Sequence, residues 1–370
     1  MIMNILILSD LVAYSGVGQY MIQLGNELLK HTEVDAVVIA SPVFFRSDVG
    51  GCISKKIKAA NIFSYTAELH KIIKEYNITI VHCNHRKQAF YMRIYQLIYE
   101  KIPVVWTCHT VPYPNNWIKR LLGYYGHKSI AISSEAQVWM HEELKINNLH
   151  LDKILNGVDN SSLVLPSKSK KTLKEEFFRN RFNKIIDGNS TKIIVAHGRL
   201  HPVKGLNLII DAFSELTDNE RRNLLVVFSG DTDCSYYLDL QNLIAKYKLS
   251  DYFFFAGWVK SDEILSIADL MLQPSMREGF PLAAIEAFFM RVPVIRSKTG
   301  GYKDMEDCCV GVPIGNVESI VQELKKWVAA PDRLNSYIDK AYEFAMTCCT
   351  VKAMTNNTLN TYKNALKICF

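Results

Sequence analysis

Leu270-Met-Leu-Gln-Pro-Ser-Met-Arg-Glu-Gly-Phe-Pro-Leu-Ala-Ala-Ile-Glu-Ala-Phe-Phe-Met-Arg-Val-Pro-Val-Ile295 reads as strand, loop, helix and strand. Leu270 to Gln273 is a short apolar run, Leu282 to Met290 suits a buried helix, and Val292 to Ile295 is a second strand. Two strands joined by a crossover helix are parallel neighbours in one sheet. The same alternation runs upstream through strand Lys192 to Ala196, helix Leu206 to Leu216, strand Leu224 to Ser229, helix Tyr236 to Tyr247 and strand Tyr252 to Ala256. A short helix is expected after Ser261.

A second series occupies the first part of the chain. Its strands are Asn4 to Ser9, Val34 to Ala40, Ile78 to Cys83 and Pro103 to Thr107. Helical stretches separate them, around Tyr20 to Leu28, Tyr65 to Tyr76 and Gln88 to Glu100. Strands that are apolar on both faces belong to parallel sheets covered on both sides. From about Asn160 to Ser190 the pattern weakens into Ser-, Lys- and Asn-rich sequence, which predicts a linker and then an irregular helix. Helical stretches close the chain, about Val317 to Ala329, Arg333 to Ala345 and Val351 to Leu366. The fold class is therefore α/β with two Rossmann-like domains, 1–160 and 161–350, and a final helix over 351–370. Open α/β sheets take ligands beyond the C-terminal ends of their strands, so the expected site is a cleft where the domains face one another.

Composition narrows the function classes. The chain has 370 residues, more than a single core usually supports, and 49% are apolar. The net charge of +6 is mild and its signs are mixed along the chain, which gives no nucleic-acid footprint. It suits a phosphorylated substrate or a weak attraction to an anionic surface; it equally suits a surface with no such meaning. Nine cysteines in no C-x-x-C spacing predict reduced thiols in a cytoplasm, with no zinc site and no disulfide framework. The start lacks a basic n-region and a cleavage site, so a buried first strand is expected rather than a signal peptide. No run of 18 apolar residues predicts a membrane span.

The loop and helix of the opening stretch carry the strongest chemical signal. A helix N-terminus has unpaired N–H groups and a positive dipole, and so can hold a diphosphate. Gly279 permits close backbone approach, and Pro281 suits the first turn. Glu278 precedes the helix and Glu286 lies one turn into it; both can accept from sugar hydroxyls. The Glu-x7-Glu spacing alone says little, because Glu135 and Glu143 repeat it on what reads as an exposed helix. His197-Gly-Arg-Leu-His-Pro-Val-Lys-Gly205 also joins a strand to a helix. It sets two cations, Arg199 and Lys204, between Gly198 and Gly205, a suitable cradle for a leaving diphosphate. A solvated basic loop would look the same. The order of a Walker loop is absent. Ser15-Gly-Val-Gly-Gln19 follows the first strand, so amides near Gly16 can face a phosphate or an acceptor, although it is not a dinucleotide fingerprint. His109 ends another strand at the presumed cleft, and Asn84 and His85 end a third; a lone histidine is more often structural.

Together these residues make the chain resemble the retaining GT-B glycosyltransferases of glycosyltransferase family 4, the glycogen-synthase-like group. The resemblance covers nearly the whole chain. It rests on Asn156-Gly-Val-Asp159, Gly198-Arg-Leu-x-x-Val-Lys-Gly205, Glu278-Gly-Phe-Pro…Glu286 and Thr299-Gly-Gly301. It implies that Arg199 and Lys204 neutralise the leaving diphosphate and that amides around Phe280, Pro281 and Leu282 cap it. It further implies that Glu286 holds the ribose, Glu278 and His109 meet the transferred sugar, and the backbone after Gly257 meets the base. The final helix would return to the first domain, which reads the acceptor; there Asn84 and His85 are the candidates. The first loop departs from the family in reading Gly-Val-Gly rather than Gly-Gly. Asn84 stands where histidine or serine is frequent. His197 and His201 have no assigned role.

The implied partners are a nucleotide-sugar donor, with UDP preferred and GDP left open, and a glycan or lipid-linked glycan acceptor. No cofactor and no metal are expected, since Arg199 and Lys204 would stand in for a magnesium ion. Family frequency points to bacterial lipopolysaccharide or capsule synthesis. The aromatic and basic stretch 116–128 could meet an anionic membrane at the inner face, but an ordinary amphipathic helix reads the same way. Competing readings are a sugar-nucleotide epimerase of the same two-domain layout and a degenerate binding subunit. A nicotinamide dehydrogenase fits least, for want of the dinucleotide fingerprint.

Overall fold

The computed structural model describes residues 2–12, 15–44, 48–109 and 123–369. The chain forms two compact units, Met1–Val158 with Cys348–Phe370, and Asp159–Thr347.

The first unit is built on a seven-stranded sheet. Its strands are β1 (Met3–Leu8), β2 (Val34–Ser41), β3 (Ile53–Lys56), β4 (Ile80–Cys83), β5 (Val104–Cys108), β6 (Lys128–Ala131) and β7 (Leu151–Lys153), in the spatial order β3-β2-β1-β4-β5-β6-β7. Every pairing is parallel. Successive side chains of a strand point to opposite faces. Accordingly Leu6 and Leu8 enter a core with Leu69, Met92 and Met140, from the helices Ile62–Glu75, Arg86–Ile98 and Ser134–Glu142. Met3, Ile5 and Ile7 enter another with Tyr20 and Leu24 of helix Gly16–Leu28 and with Met354, Tyr362 and Leu366 of helix Val351–Cys369. The C-terminal helix is thus part of the first domain's core. Glu135 lies on the helix Ser134–Glu142 and Glu143 caps its end, as expected of the decoy pair.

The second unit carries β8 (Lys192–His197), β9 (Leu224–Ser229), β10 (Phe253–Gly257), β11 (Leu270–Gln273), β12 (Val294–Ser297) and β13 (Val310–Val312). They form a parallel sheet in the order β10-β9-β8-β11-β12-β13. β8 and β11 are neighbours, so the loops that follow them emerge side by side. Those are the two loops singled out in the sequence.

The irregular helix expected after the linker is a regular one, Lys170–Phe182, capped by Ser169 and ended by Asn183 in the left-handed region. Its propensity is modest, and tertiary contacts hold it. Lys174 is buried, pairs with Asp269 at 2.6 Å and donates to the Thr191 carbonyl at 2.8 Å. Phe178 and Phe182 pack on Phe254. The strands β3, β6, β7 and β13 were not predicted. They are three or four residues long and carry lysines or a glycine in place of the apolar run by which the equally short β4, β11 and β12 are read. Most of the stretch 116–128 lies outside the described residues. Among the described residues no helix is long and apolar enough to cross a membrane.

Candidate active site

In the second domain, β8 ends at His197 and the chain turns through Gly198, whose φ of +135° is a conformation side chains rarely adopt. Arg199 is exposed and has no carboxylate partner among the described residues. His201 then caps the short 3-10 turn Pro202–Lys204, its Nδ1 accepting from the Val203 amide at 3.1 Å. That gives His201 a structural role the sequence left open. Gly205 takes φ +65° and lies against the Pro274 carbonyl, where a Cβ would clash. The Met276 amide bonds the Val203 carbonyl at 2.8 Å. The two loops are therefore one unit, and Lys204 joins them again through Nζ–Glu278 Oε1 at 2.7 Å.

Beyond Glu278 the chain passes the buried Gly279 and Phe280 and enters helix Leu282–Phe289. Pro281 is its N-cap residue rather than its first turn, and no side chain caps the helix. Its first amides are thus left for an external acceptor, with the dipole favouring an anion. The turn Thr299-Gly-Gly301 supports this loop from behind. A side chain at Gly300 would strike the Glu278 and Gly279 carbonyls, and one at Gly301 the Phe280 ring. The buried Arg296 holds that turn by donating to the Thr299 hydroxyl at 3.0 Å and the Gly300 carbonyl at 2.9 Å. Gly257, at φ +67° with open space beside it, ends β10 next to β9.

Glu286, in the second turn of the helix, accepts from the Ser261 hydroxyl at 3.0 Å. Burial raises its carboxyl above the ordinary value and the Ser261 bond opposes this. Beside it His197 is held down to about 4 by burial and by the Lys204 charge. The site thus gathers Gly198, Arg199, Lys204, Gly257, Glu278, Gly279, Phe280, Pro281, Leu282 and Glu286 around the C-terminal ends of adjacent strands.

The first domain holds the remaining candidates at the ends of its own strands. Gly16, placed with the donor set in the sequence, opens helix Gly16–Leu28, where Ser15 accepts from the Gly18 amide at 3.2 Å. His109 is buried and its Nε2 lies 2.8 Å from Asn84 Oδ1. An amide oxygen only accepts, so Nε2 carries the proton and Nδ1 keeps a lone pair. Burial and the neighbouring His85 and His82 hold His109 well below the ordinary imidazole value, in its neutral form. Asn84 is 1% exposed and also donates to the Leu8 carbonyl at 3.1 Å. Its geometry is that of a support for His109 rather than a surface group reaching for an acceptor. His85 begins helix Arg86–Ile98, with Nδ1 unpartnered among the described residues.

Sequence reading missed the polar groups behind these residues. His82 is fully buried between Tyr362 OH and Thr107 Oγ1, both at 2.6 Å. The Tyr20 ring packs edge-on to His109 at 4.7 Å. Polar side chains inside an apolar strand, as His82 is in Ile80-Val-His-Cys83, were the available signal.

This arrangement matches known proteins over most of the chain. Residues 177–344 fit the family described as Glycosyl transferases group 1, and residues 14–162 the family described as Glycosyltransferase Family 4. The protein is a glycosyltransferase with the two-domain GT-B fold; its second domain is of group 1 and its first of family 4. It is 25% identical to the N-acetyl-alpha-D-glucosaminyl L-malate synthase of Bacillus anthracis over 70% of this chain and 68% of that one. It is also 25% identical to the Escherichia coli UDP-Gal:alpha-D-GlcNAc-diphosphoundecaprenol alpha-1,3-galactosyltransferase over 63% of this chain and 61% of the relative. The structure of Anabaena Alr3699/HepE in complex with UDP and glucose superposes with a TM-score of 0.80 at 16% identity, covering 98% of this chain and 99% of the other.

Proposed function

We propose that the enzyme is a retaining glycosyltransferase that takes a sugar from a nucleoside diphosphate, UDP in the first instance, and needs no metal. The observation that carries this reading is the pair of adjoining loops. One brings Arg199 and Lys204; the other brings Glu278 and an uncapped helix N-terminus. In the reaction the bond from the sugar's anomeric carbon to the diphosphate oxygen breaks, and the electron pair leaves with the phosphate. Arg199, Lys204 and the first amides of helix Leu282–Phe289 neutralise that charge, the largest demand of an oxocarbenium-like transition state. The acceptor oxygen then bonds the anomeric carbon from the same face and passes its proton to the departing phosphate. Glu286 holds the ribose hydroxyls, and Glu278 and His109 meet the sugar. The backbone beyond Gly257 meets the base.

The bound UDP and glucose of the Anabaena structure support a UDP-sugar. The name of the Escherichia coli relative supports a lipid-linked glycan acceptor. A place in lipopolysaccharide or capsule assembly, at the cytoplasmic face of a membrane, is part of the same proposal. The test is thermal unfolding against UDP-, GDP- and ADP-sugars in the presence of a chelator. A native-state ligand at 100 times its Kd adds about 2.7 kcal/mol of stability. The expected result is a raised Tm with UDP-sugars that Lys204→Ala loses. A shift only when metal is added would overturn the metal-free assignment, and a shift with another nucleotide the choice of UDP.

A further inference from the structure

Behind Glu286 runs a line of three polar side chains from three different elements. Ser229, the last residue of β9, has its Oγ 3.2 Å from His197 Nδ1. His197, the last residue of β8, has its Nε2 3.1 Å from the Oγ of Ser261. Ser261 opens the helix Ser261–Ser266 and donates to Glu286 Oε2 at 3.0 Å.

Counting protons gives the line a direction. A serine hydroxyl has one proton and two lone pairs. Ser261 gives its proton to Glu286, so toward His197 it accepts, and Nε2 of the imidazole carries hydrogen. In a neutral ring Nδ1 is then the acceptor and takes the Ser229 proton, for which the Gly257 carbonyl competes from a longer 3.5 Å. Burial and the Lys204 charge keep the ring neutral, which admits only this tautomer. The line therefore runs in one direction from Ser229 and ends on one carboxylate oxygen, Oε2.

We infer that His197 is a positioning residue which, through Ser261, locks the Glu286 carboxylate so that Oε1 faces the donor's ribose, and thereby sets the preference for ribonucleotides over deoxyribonucleotides. The inference rests on Glu286 being the ribose carboxylate, as proposed above. A free glutamate loses rotamer freedom when it is ordered. With the line intact that ordering is complete before the nucleotide arrives, and the hydroxyls meet a fixed acceptor. Hydrogen bonds to a charged acceptor are also the ones whose loss discriminates most. Without it Glu286 can rotate or draw water, and the hydroxyls gain little over their absence.

Calorimetry with UDP and 2′,3′-dideoxy-UDP tests this. The natural chain is expected to favour UDP by about 10–100-fold, the range of hydrogen bonds to a charged group. Glu286→Leu should remove the preference. His197→Phe, which keeps the ring volume but not the nitrogens, should reduce it about tenfold, and so should Ser261→Ala. His197→Gln, whose amide can donate in place of Nε2, should restore most of it. If Glu286→Leu keeps the preference, the ribose role of Glu286 is wrong. If Glu286→Leu loses it while folded His197→Phe and Ser261→Ala keep the natural ratio, the inference about His197 fails and the ribose reading stands. Ser261→Ala decides the matter should His197→Phe not fold.

Discussion

Lys204 and Glu278 stand 74 residues apart in the chain and meet at 2.7 Å, one on each of two loops that leave neighbouring parallel strands. The pair is partly exposed, so its own contribution to stability is small, about 0–1 kcal/mol. Its importance is placement: it fixes a cation and a carboxylate at the mouth of an uncapped helix.

Exchanging the two charges separates these roles. Lys204→Glu alone sets two carboxylates together and should lower the melting temperature. Lys204→Glu with Glu278→Lys restores the pair, so stability should recover. Turnover should stay about 10²–10³-fold down, because the cation now sits on the wrong loop. Recovery of both in the double variant would mean that only the ion pair matters, and not where its charges lie.

His109 and Asn84 are expected to act as one unit. Asn84→Leu removes the acceptor that fixes His109 Nε2–H and the donor to Leu8, and should cost about 1–3 kcal/mol of stability. His109→Phe and Asn84→Leu should each lower turnover, and the double variant should be little worse than either. Additive losses in this cycle would show that Asn84 does not work through His109.

The glycines at the two helix entries should respond differently to alanine. Gly198 has φ +135° with free space around it, so Gly198→Ala meets backbone strain alone, of about 1–3 kcal/mol. Gly16 begins a helix, has no positive φ and also has free space, so Gly16→Ala should leave urea unfolding unchanged or slightly improved. Equal destabilisation of both would contradict the backbone geometry described.

Tyr362 ties the C-terminal helix to His82 through a 2.6 Å bond in a fully buried place. Tyr362→Phe leaves the imidazole nitrogen without its partner, at a cost of about 1–3 kcal/mol. Amide exchange should rise first along Val351–Cys369. Unchanged protection there would remove this bond from the list of what holds the helix.

Acid should destabilise the protein well above the range where carboxylates titrate. Burial holds His82 at about 3 and His197 at about 4, against an ordinary 6.5. Between these values the unfolded chain binds protons that the native state refuses. Stability is therefore complete above pH 6.5 and falls below it, by up to about 1.4 kcal/mol per pH unit for each histidine. Glu286, raised by burial, opposes this in part, since its native form takes up a proton first. Urea midpoints at pH 7.5 and pH 5 should show a clear drop, with proton uptake on unfolding. A flat profile would mean that these rings are charged in the native state.

The sequence by itself determined the two parallel α/β domains, the strand–loop–helix passages and the residue types within them. Those features are local: apolar runs of strand length, helical spacing, and glycines and a proline at turns. Leu270 to Ile295 needs no distant partner to be read. The strands β3, β6, β7 and β13 escaped because lysines or a glycine interrupt their apolar runs, and such a segment becomes a strand only when a neighbouring strand is there to pair with. The helix Lys170–Phe182 was misjudged for a related reason: Asp269 and Phe254, which hold it, lie far along the chain. Only tertiary structure decided which polar groups meet. His82 finds Tyr362 280 residues away, and His197 finds Ser261 64 residues away. A hydrogen bond is a relation of distance and direction between groups, and neither is encoded in residue identity until the sheets bring the strand ends together.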